Sequence, residues 1–291
     1  MGQPTQDRRG THECIGSGPP LLFVNALYQP RQTWEPIIAR LSESYTCICF
    51  DLPNQNLVFH GATAQPDCDT PEAYEAAILQ TIDACGFRPE QVIACGLSSG
   101  ANHLRHLHHT GGVNFRGLVL LGLDPPSLSK FHLAFNIECQ SVLEAAGVER
   151  YSGLINFWFF SQTWINTNAF AIRYIKRRYA ALFEDGQSVK ALLRAAVAAY
   201  RRPIPADRFR CPTALINGTR DALCPADAMR AYAAEIGAHF GLSEGAHSFP
   251  LENAEGAARA IHEALGMLEN TETLPVQVSC ADAAPLRPQA S

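Results

Sequence analysis

The feature that most constrains this chain is Gly96-Leu97-Ser98-Ser99-Gly100, a G-x-S-x-G pentapeptide set between two contrasting segments. Gln91-Val92-Ile93-Ala94-Cys95 before it is a short apolar run, and Ala101 to Leu107 after it can wind as a helix. A short apolar run bounded by turn residues reads as a buried strand. A serine on a sharp strand-to-helix turn sits in a strained backbone with its hydroxyl lifted clear of the sheet. Glycine on either side lets the chain turn that tightly. The helix start also aims backbone N–H groups at developing negative charge. The plain alternative is a glycine-rich turn without chemistry. The flanking strand and helix favour a nucleophile at Ser98.

The rest of the chain supplies the sheet that such a turn needs. Pro20 to Asn25, Tyr45 to Phe50, Gly117 to Leu123, Thr213 to Asn217 and His239 to Ser243 read as further strands. Helical spacing falls on Trp34 to Leu41, on the segment from Pro71 to about Cys85, on Pro225 to Ile236 and on Glu252 to Leu268. Thr70 followed by Pro71 and Glu72 is a helix-start signal. Strands alternating with helices predict a mostly parallel sheet flanked by helices, an α/β fold. The alternation breaks between Pro125 and Pro205, where helix follows helix. We therefore expect a core of residues 1–124 and 207–270, a helical cap of residues 125–206 inserted between sheet strands, and a loosely ordered Pro- and Ala-rich tail over 271–291.

A serine hydroxyl needs a base to take its proton and an acid to orient that base. On a sheet of this kind the chain order is serine, acid, histidine, each at the carboxyl end of a strand. Asp221 follows the strand ending at Asn217, and His247 follows the last strand in Glu244-Gly245-Ala246-His247. Asp221 could instead cap the helix near Pro225, with Asp124 as the fallback acid, and His247 could be an ordinary loop histidine. The oxyanion of a tetrahedral intermediate needs two N–H donors. Ser99 is expected to give one, and Leu27, with Ala26 next, the other. His103, His106, His108 and His109 crowd the helix behind the serine. With no carboxylate in local sequence beside them, a polar helix face is expected there, not a metal.

Composition narrows the function classes. The net charge of −5 argues against a nucleic-acid partner. No apolar run reaches the roughly eighteen residues of a membrane span, and Met1 to Arg9 is too polar for a secretory signal. The ten cysteines include no Cys-x-x-Cys, and Cys47 and Cys49 alternate on one strand face. Reduced thiols packing as small hydrophobes in a cytoplasmic protein is the expectation. No metal and no organic cofactor is expected.

Val24-Asn25-Ala26, Phe50-Asp51-Leu52-Pro53, Gly96 to Gly100, Ile216-Asn217-Gly218 with Asp221, and Glu244 to His247 fall in an order that resembles the α/β-hydrolase superfamily. Within it, Asn25 in place of a histidine, Phe-Asp-Leu-Pro, and Ile-Asn-Gly-x-x-Asp followed by Ala226-Asp227-Ala228 resemble the 3-(3-hydroxyalkanoyloxy)alkanoate synthases of rhamnolipid assembly and the related 3-hydroxyacyl-ACP:CoA transacylase/thioesterases. The resemblance runs from about Leu21 to Leu268. It implies acyl transfer from a 3-hydroxyacyl thioester, carried by acyl carrier protein or CoA, to an alcohol. Hydrolysis to the acid, or a fold reused as a ligand-binding module, are the alternatives.

Three features depart from the pattern. Ser98-Ser99-Gly100-Ala101 replaces Ser-Trp-Gly-Gly, Asn54-Gln55-Asn56 replaces a glycine-serine turn, and the short N-terminus predicts a missing or reduced first hairpin strand. Phe157, Trp158, Phe160 and Trp164 in the cap are candidates to line an acyl tunnel, against ordinary packing of cap on core. Arg173, Lys176 and Arg177 are candidates to dock a carrier's phosphates or acidic surface, against a solvated helix face.

Overall fold

The computed structural model describes residues 12–55, 68–182, 187–204 and 208–271. Seven strands form one sheet: β1 (His12–Gly16), β2 (Pro20–Val24), β3 (Thr46–Phe50), β4 (Ile93–Leu97), β5 (Gly117–Leu121), β6 (Thr213–Gly218) and β7 (His239–Ser243). Their spatial order is β1-β3-β2-β4-β5-β6-β7. β1 runs antiparallel to β3, and every other pairing is parallel.

β2, β4, β5 and β6 are buried along their whole length, as strands covered on both faces must be. Alternate residues serve two cores. Leu22, Val24, Ala94, Leu118 and Leu215 face one, shared with α2 (Pro71–Ala84), α3 (Ser99–His109) and α8 (Ala226–Ile236). Leu21, Phe23, Cys95, Val119 and Ile216 face the other, shared with α1 (Glu35–Leu41) and α10 (Ala254–Thr271). Cys47 and Cys49 lie together in this second core, where burial pushes each thiol up to about 12, so they pack as apolar groups.

β1 corrects the expectation of a missing or reduced first strand: all five of its residues pair with β3. It escapes hydrophobic patterning because it is an edge strand whose residues are mostly exposed, so no apolar alternation is required of it. The final helix divides in two. A single turn, α9 (Phe249–Glu252), precedes α10, with the break at Asn253.

Between β5 and β6 the described chain forms four α-helices: α4 (Ser129–Phe159), α5 (Gln162–Thr167), α6 (Ala169–Leu182) and α7 (Gln187–Arg201). α4 is kinked at Gly147, where φ is 77°. It joins the core through Leu143, Tyr151 and Ile155, on either side of the kink, and α7 joins through Val189, Leu192 and Leu193. Charges tie the insertion down as well. Arg202 meets Glu75 at 2.6 Å and also Glu72, and Arg194 meets Asp69 at 2.6 Å. The tail beyond residue 271 lies outside the described residues.

The turn between β4 and α3 is set by close approach. A Cβ on Gly100 would stand 2.5 Å from the Val24 carbonyl oxygen and 2.6 Å from that of Asn25. Both are main-chain atoms at the end of β2, so neither can swing aside. Gly100→Ala is therefore expected to destabilise the protein by about 2–4 kcal/mol, read as a clear drop in melting temperature. An unchanged melt would contradict this packing.

Candidate active site

Ser98 lies at the junction of β4 and α3 with φ 53° and ψ −115°, a conformation L-residues avoid. Its amide donates to Leu121 O at 2.8 Å, and its carbonyl takes the amide of Asn102 at 3.0 Å. The side chain is thereby lifted above the carboxyl ends of the strands. His247 follows β7, with Nε2 2.7 Å from Ser98 Oγ and Nδ1 2.8 Å from Asp221 Oδ2. Asp221 Oδ1 accepts the amides of Leu223 and Cys224, each at 2.9 Å. The carboxylate thus holds both the turn before α8 and the imidazole, but it does not cap α8, whose N-cap is Pro225 with no side-chain cap hydrogen bond. With Nδ1–H directed at Asp221, Nε2 is left as the acceptor for the serine proton.

Burial pulls the His247 pKa down, but the Asp221 charge and hydrogen bond, with the charge of Asp124 added, hold it above the ordinary histidine value. The ring fits because Gly122 stands beside it: a Cβ there would be 3.2 Å from His247 Cε1. Phe159 stacks on the imidazole at 5.8 Å between ring centres. The loop bearing His247 is fastened to the helical insertion. Ser248 N donates to Phe159 O at 2.8 Å, and the Glu252 carboxylate accepts from Ala246 N, Ser161 N and Ser161 Oγ.

The loop after β2 is held just as firmly. Asn25, fully buried, accepts the indole N–H of Trp34 at 2.7 Å and donates to Phe50 O at 2.9 Å. Gln55 donates to Ala26 O at 2.8 Å and accepts from Asn25 at 3.3 Å. Gln55, one of the residues departing from the familiar turn, therefore fixes the segment carrying Leu27. Among the described residues, no main-chain carbonyl takes the amide of Leu27 or Ser99. Both residues line a small cleft of about 40 Å3.

Asp124 is not placed against the imidazole. Its carboxylate meets His132 Nε2 at 3.0 Å and accepts hydrogen bonds from Tyr200 and Asn102, while Arg105 donates to its carbonyl at 2.5 Å. Burial would raise its pKa, but His132 and these donors outweigh that and hold it well below the usual carboxylate range. Asp124 thus joins α4 and α7 of the insertion to α3 of the core.

The histidines behind the serine correct one expectation. His103 and His108 are buried, not on a free polar face. From a distant part of the sequence Glu75 of α2 reaches His103 and His106 at 3.6 and 3.3 Å, and it is also paired with Arg202. Burial lowers the pKa of His108 to about 4, and its ring bonds Val113 O and Arg210 N. Ligand-type atoms do cluster within 4.8 Å in Asp124-His132-Cys224, Asp221-Cys224-His247 and His12-Cys14-Cys85. In the first two, burial pushes the shared Cys224 thiol up, and the charges of Asp124 and Asp221 add to that.

A cavity of about 190 Å3 is bounded by Leu27, by Ser248, which follows His247, by Phe159, which stacks on the imidazole, and by the half of α4 after the kink. Of the four cap aromatics singled out in the sequence, Phe160 lines it. Trp164 stacks behind Phe160 at 4.5 Å, Trp158 packs on Phe135 at 5.3 Å, and Phe157 is 67% exposed. Consecutive residues on a helix point in different directions, so the run Phe157 to Phe160 cannot face one cavity. Phe159, Tyr151 and Ile155 line it instead. Arg173 and Arg177 on α6 are exposed, and Lys176 pairs with Glu149 at 3.3 Å.

A model of the alpha/beta hydrolase family matches residues 21–260. A thermophilic esterase from Thermogutta terrifontis is 21% identical, with a TM-score of 0.71 over 88% of this chain and 93% of that one. The enol-lactonase of Burkholderia xenovorans is 18% identical, with a TM-score of 0.70 over 88% and 95%. An alpha/beta hydrolase from a Medee basin deep-sea metagenome is 13% identical, with a TM-score of 0.76 over 88% and 93%. At these identities the likeness is one of fold. No curated protein matches the chain by sequence. Among the described residues no helix is long and apolar enough to cross a membrane.

The hydrogen-bond chain makes a prediction independent of any substrate. NMR titration of the His247 ring is expected to show a midpoint above about 6.5, the ordinary histidine value. Asp221→Asn removes the attraction but leaves the burial, so the midpoint should fall. A midpoint unmoved by that substitution would contradict the geometry.

Proposed function

The chain belongs to the alpha/beta hydrolase family, and we propose that it is a serine-dependent acyl-transfer enzyme working through an acyl-enzyme at Ser98. The observation that carries this reading is the continuous chain from Ser98 Oγ through the imidazole to Asp221, with contacts of 2.7 and 2.8 Å. His247 Nε2 takes the hydroxyl proton as Oγ attacks an acyl carbonyl. The N–H groups of Leu27 and Ser99 receive the oxyanion. Collapse breaks the bond to the thiolate or alkoxide leaving group, which takes the serine proton from Nε2. An acceptor O–H or S–H then gives its proton to Nε2 and attacks the acyl-enzyme, the bond from the acyl carbon to Ser98 Oγ breaks, and Nε2 returns the proton to Oγ. The imidazole must be neutral to begin, so activity should rise with pH through its raised pKa.

The donor we propose is a 3-hydroxyacyl thioester on acyl carrier protein or CoA, with an alcohol as acceptor. The residues shared with the 3-(3-hydroxyalkanoyloxy)alkanoate synthases support this, as does the mainly apolar cavity lined by Leu27 and Phe159. Residues 125–206 act as the cap that closes this cavity. Arg173, Lys176 and Arg177 dock the carrier, and the exposure of Arg173 and Arg177 supports that role. A cytoplasmic setting suits the free cysteines. The second reading is hydrolysis, by water as acceptor. The names esterase and enol-lactonase carried by proteins of the same fold favour it.

A fluorophosphonate should label Ser98 in the wild type and not in Ser98→Ala, and turnover of p-nitrophenyl esters should fall about a thousandfold or more in that variant. Incubation with 3-hydroxydecanoyl thioester should yield the dimeric ester. Free acid alone would favour hydrolysis. Neither labelling nor turnover of any acyl ester or thioester would leave a ligand-binding module.

A further inference from the structure

The edge of the sheet carries a group of side chains that the site around Ser98 leaves unused. β1 pairs antiparallel with β3, His12 opposite Phe50 and Cys14 opposite Ile48. Residues directly opposite one another in such a pair share a face. Phe50 and Ile48 belong to the core shared with α2, so His12 and Cys14 are on that face too. Glu13 between them is on the other face and pairs with Arg31 at 2.9 Å. The edge strand thus presents an imidazole and a thiol where its neighbour presents two large apolar side chains. Cys85 caps the C-terminal end of α2 and packs against the same core.

There the three side chains meet. A ring nitrogen of His12, Cys14 Sγ and Cys85 Sγ all lie within 4.8 Å of one another, and the two sulfurs are 3.1 Å apart. Both cysteines are free thiols. Around a tetrahedral zinc, with Zn–S of about 2.3 Å and Zn–N of about 2.0 Å, such atoms stand about 3.5–3.8 Å apart. The observed spacing brackets those values, so side-chain rotation suffices to close the set. Cys14 is exposed and the other two are partly so, which lets an ion enter from solvent and leaves water for the fourth position. Two sulfurs and an imidazole suit zinc, where oxygen ligands would suit magnesium or calcium. Two thiolates with a neutral imidazole also balance the charge of Zn2+. A disulfide would use the sulfurs alone and give His12 no part.

We propose that His12, Cys14 and Cys85 bind a zinc ion that clips the edge strand to the end of α2. Binding forms two Zn–S bonds and one Zn–N bond, and the thiol protons pass to solvent. The site is separate from the acyl-transfer chemistry. Cys85 closes α2 before the chain enters β4, and Ser98 stands past the far end of that strand. The role of the ion is structural: β1 has β3 as its one neighbour in the sheet, and the clip gives it a second anchor. No local spacing announces the site, because Cys85 lies 71 residues beyond Cys14.

The test uses the reduced full-length chain, stripped of metal and titrated with zinc in competition with a chromogenic chelator. The wild type should hold a zinc ion that Cys14→Ser and Cys85→Ser lose. His12→Ala should weaken it by about tenfold or more, since even a partner behind a ligand is worth that much. Cobalt(II) in place of zinc should give a thiolate charge-transfer band that both cysteine variants lack. Zinc at about a hundred times its Kd should lower the unfolding constant about a hundredfold, read as a rise in melting temperature. Each variant is judged by its zinc-induced shift, so its own stability cancels. No zinc held by the wild type, or zinc held equally by all three variants, overturns the site. So does a reduced protein that ignores zinc while oxidised glutathione joins Cys14 to Cys85, or an unchanged affinity in His12→Ala. None of these readouts uses activity, so the acyl-enzyme reading stands or falls apart from them.

Discussion

The rest of the site depends on one strained residue. Ser98 keeps its φ of 53° only because the atoms around it leave no alternative. Its amide is tied to the end of β5, and α3 begins at once behind it. Gly100 lies so close to the end of β2 that no side chain fits. That crowding sets the distance between the serine and the loop bearing Leu27. It also places the hydroxyl where the strand after it in the sheet, β5, and the two beyond, β6 and β7, end. The side chains that leave those ends, Asp221 and His247, are the ones that reach it.

Around this point the molecule uses polar contacts of long sequence separation to hold its loops. Gln55 reaches back to Ala26, and Asn25 joins Trp34 to Phe50. Glu252 joins the His247 loop to the start of α5 through Ser161. Asp124 joins two helices of the insertion to α3. These charges and amides are largely buried and mutually satisfied, the condition under which such networks rigidify a site. The loops bearing Leu27 and His247 and the insertion are therefore coupled mechanically: a shift of α4 would be felt at Phe159, which stacks on the imidazole.

Much of this was legible in the sequence, for physical reasons that differ by element. The parallel strands announce themselves because both faces must be apolar, and α2 because Thr70 and Pro71 mark its start, the threonine side chain accepting from Ala73 N. The serine, acid and histidine could be placed because the order of strands dictates where each loop emerges. β1 was illegible because an edge strand carries no burial pattern. Glu75 beside His103 and Glu252 beside Ser161 were illegible for another reason. Each acts across many residues of chain, and no local spacing signals it. The direction of the cap aromatics was lost in the same way. Composition says that the insertion is aromatic, but the phase of the helix, not the composition, turns Phe159 to the cavity and Phe157 to solvent.

The central claim is that the Ser98 oxygen, activated by the imidazole, becomes covalently acylated. The most direct measurement is mass spectrometry of the protein acid-quenched during turnover of an acyl thioester, followed by peptide mapping. The account predicts an added mass equal to the acyl group on the peptide bearing Ser98, and its loss on longer incubation. Turnover of that thioester with the acyl mass carried on any other residue, or with none trapped while Ser98→Ala remains fully active, would contradict it.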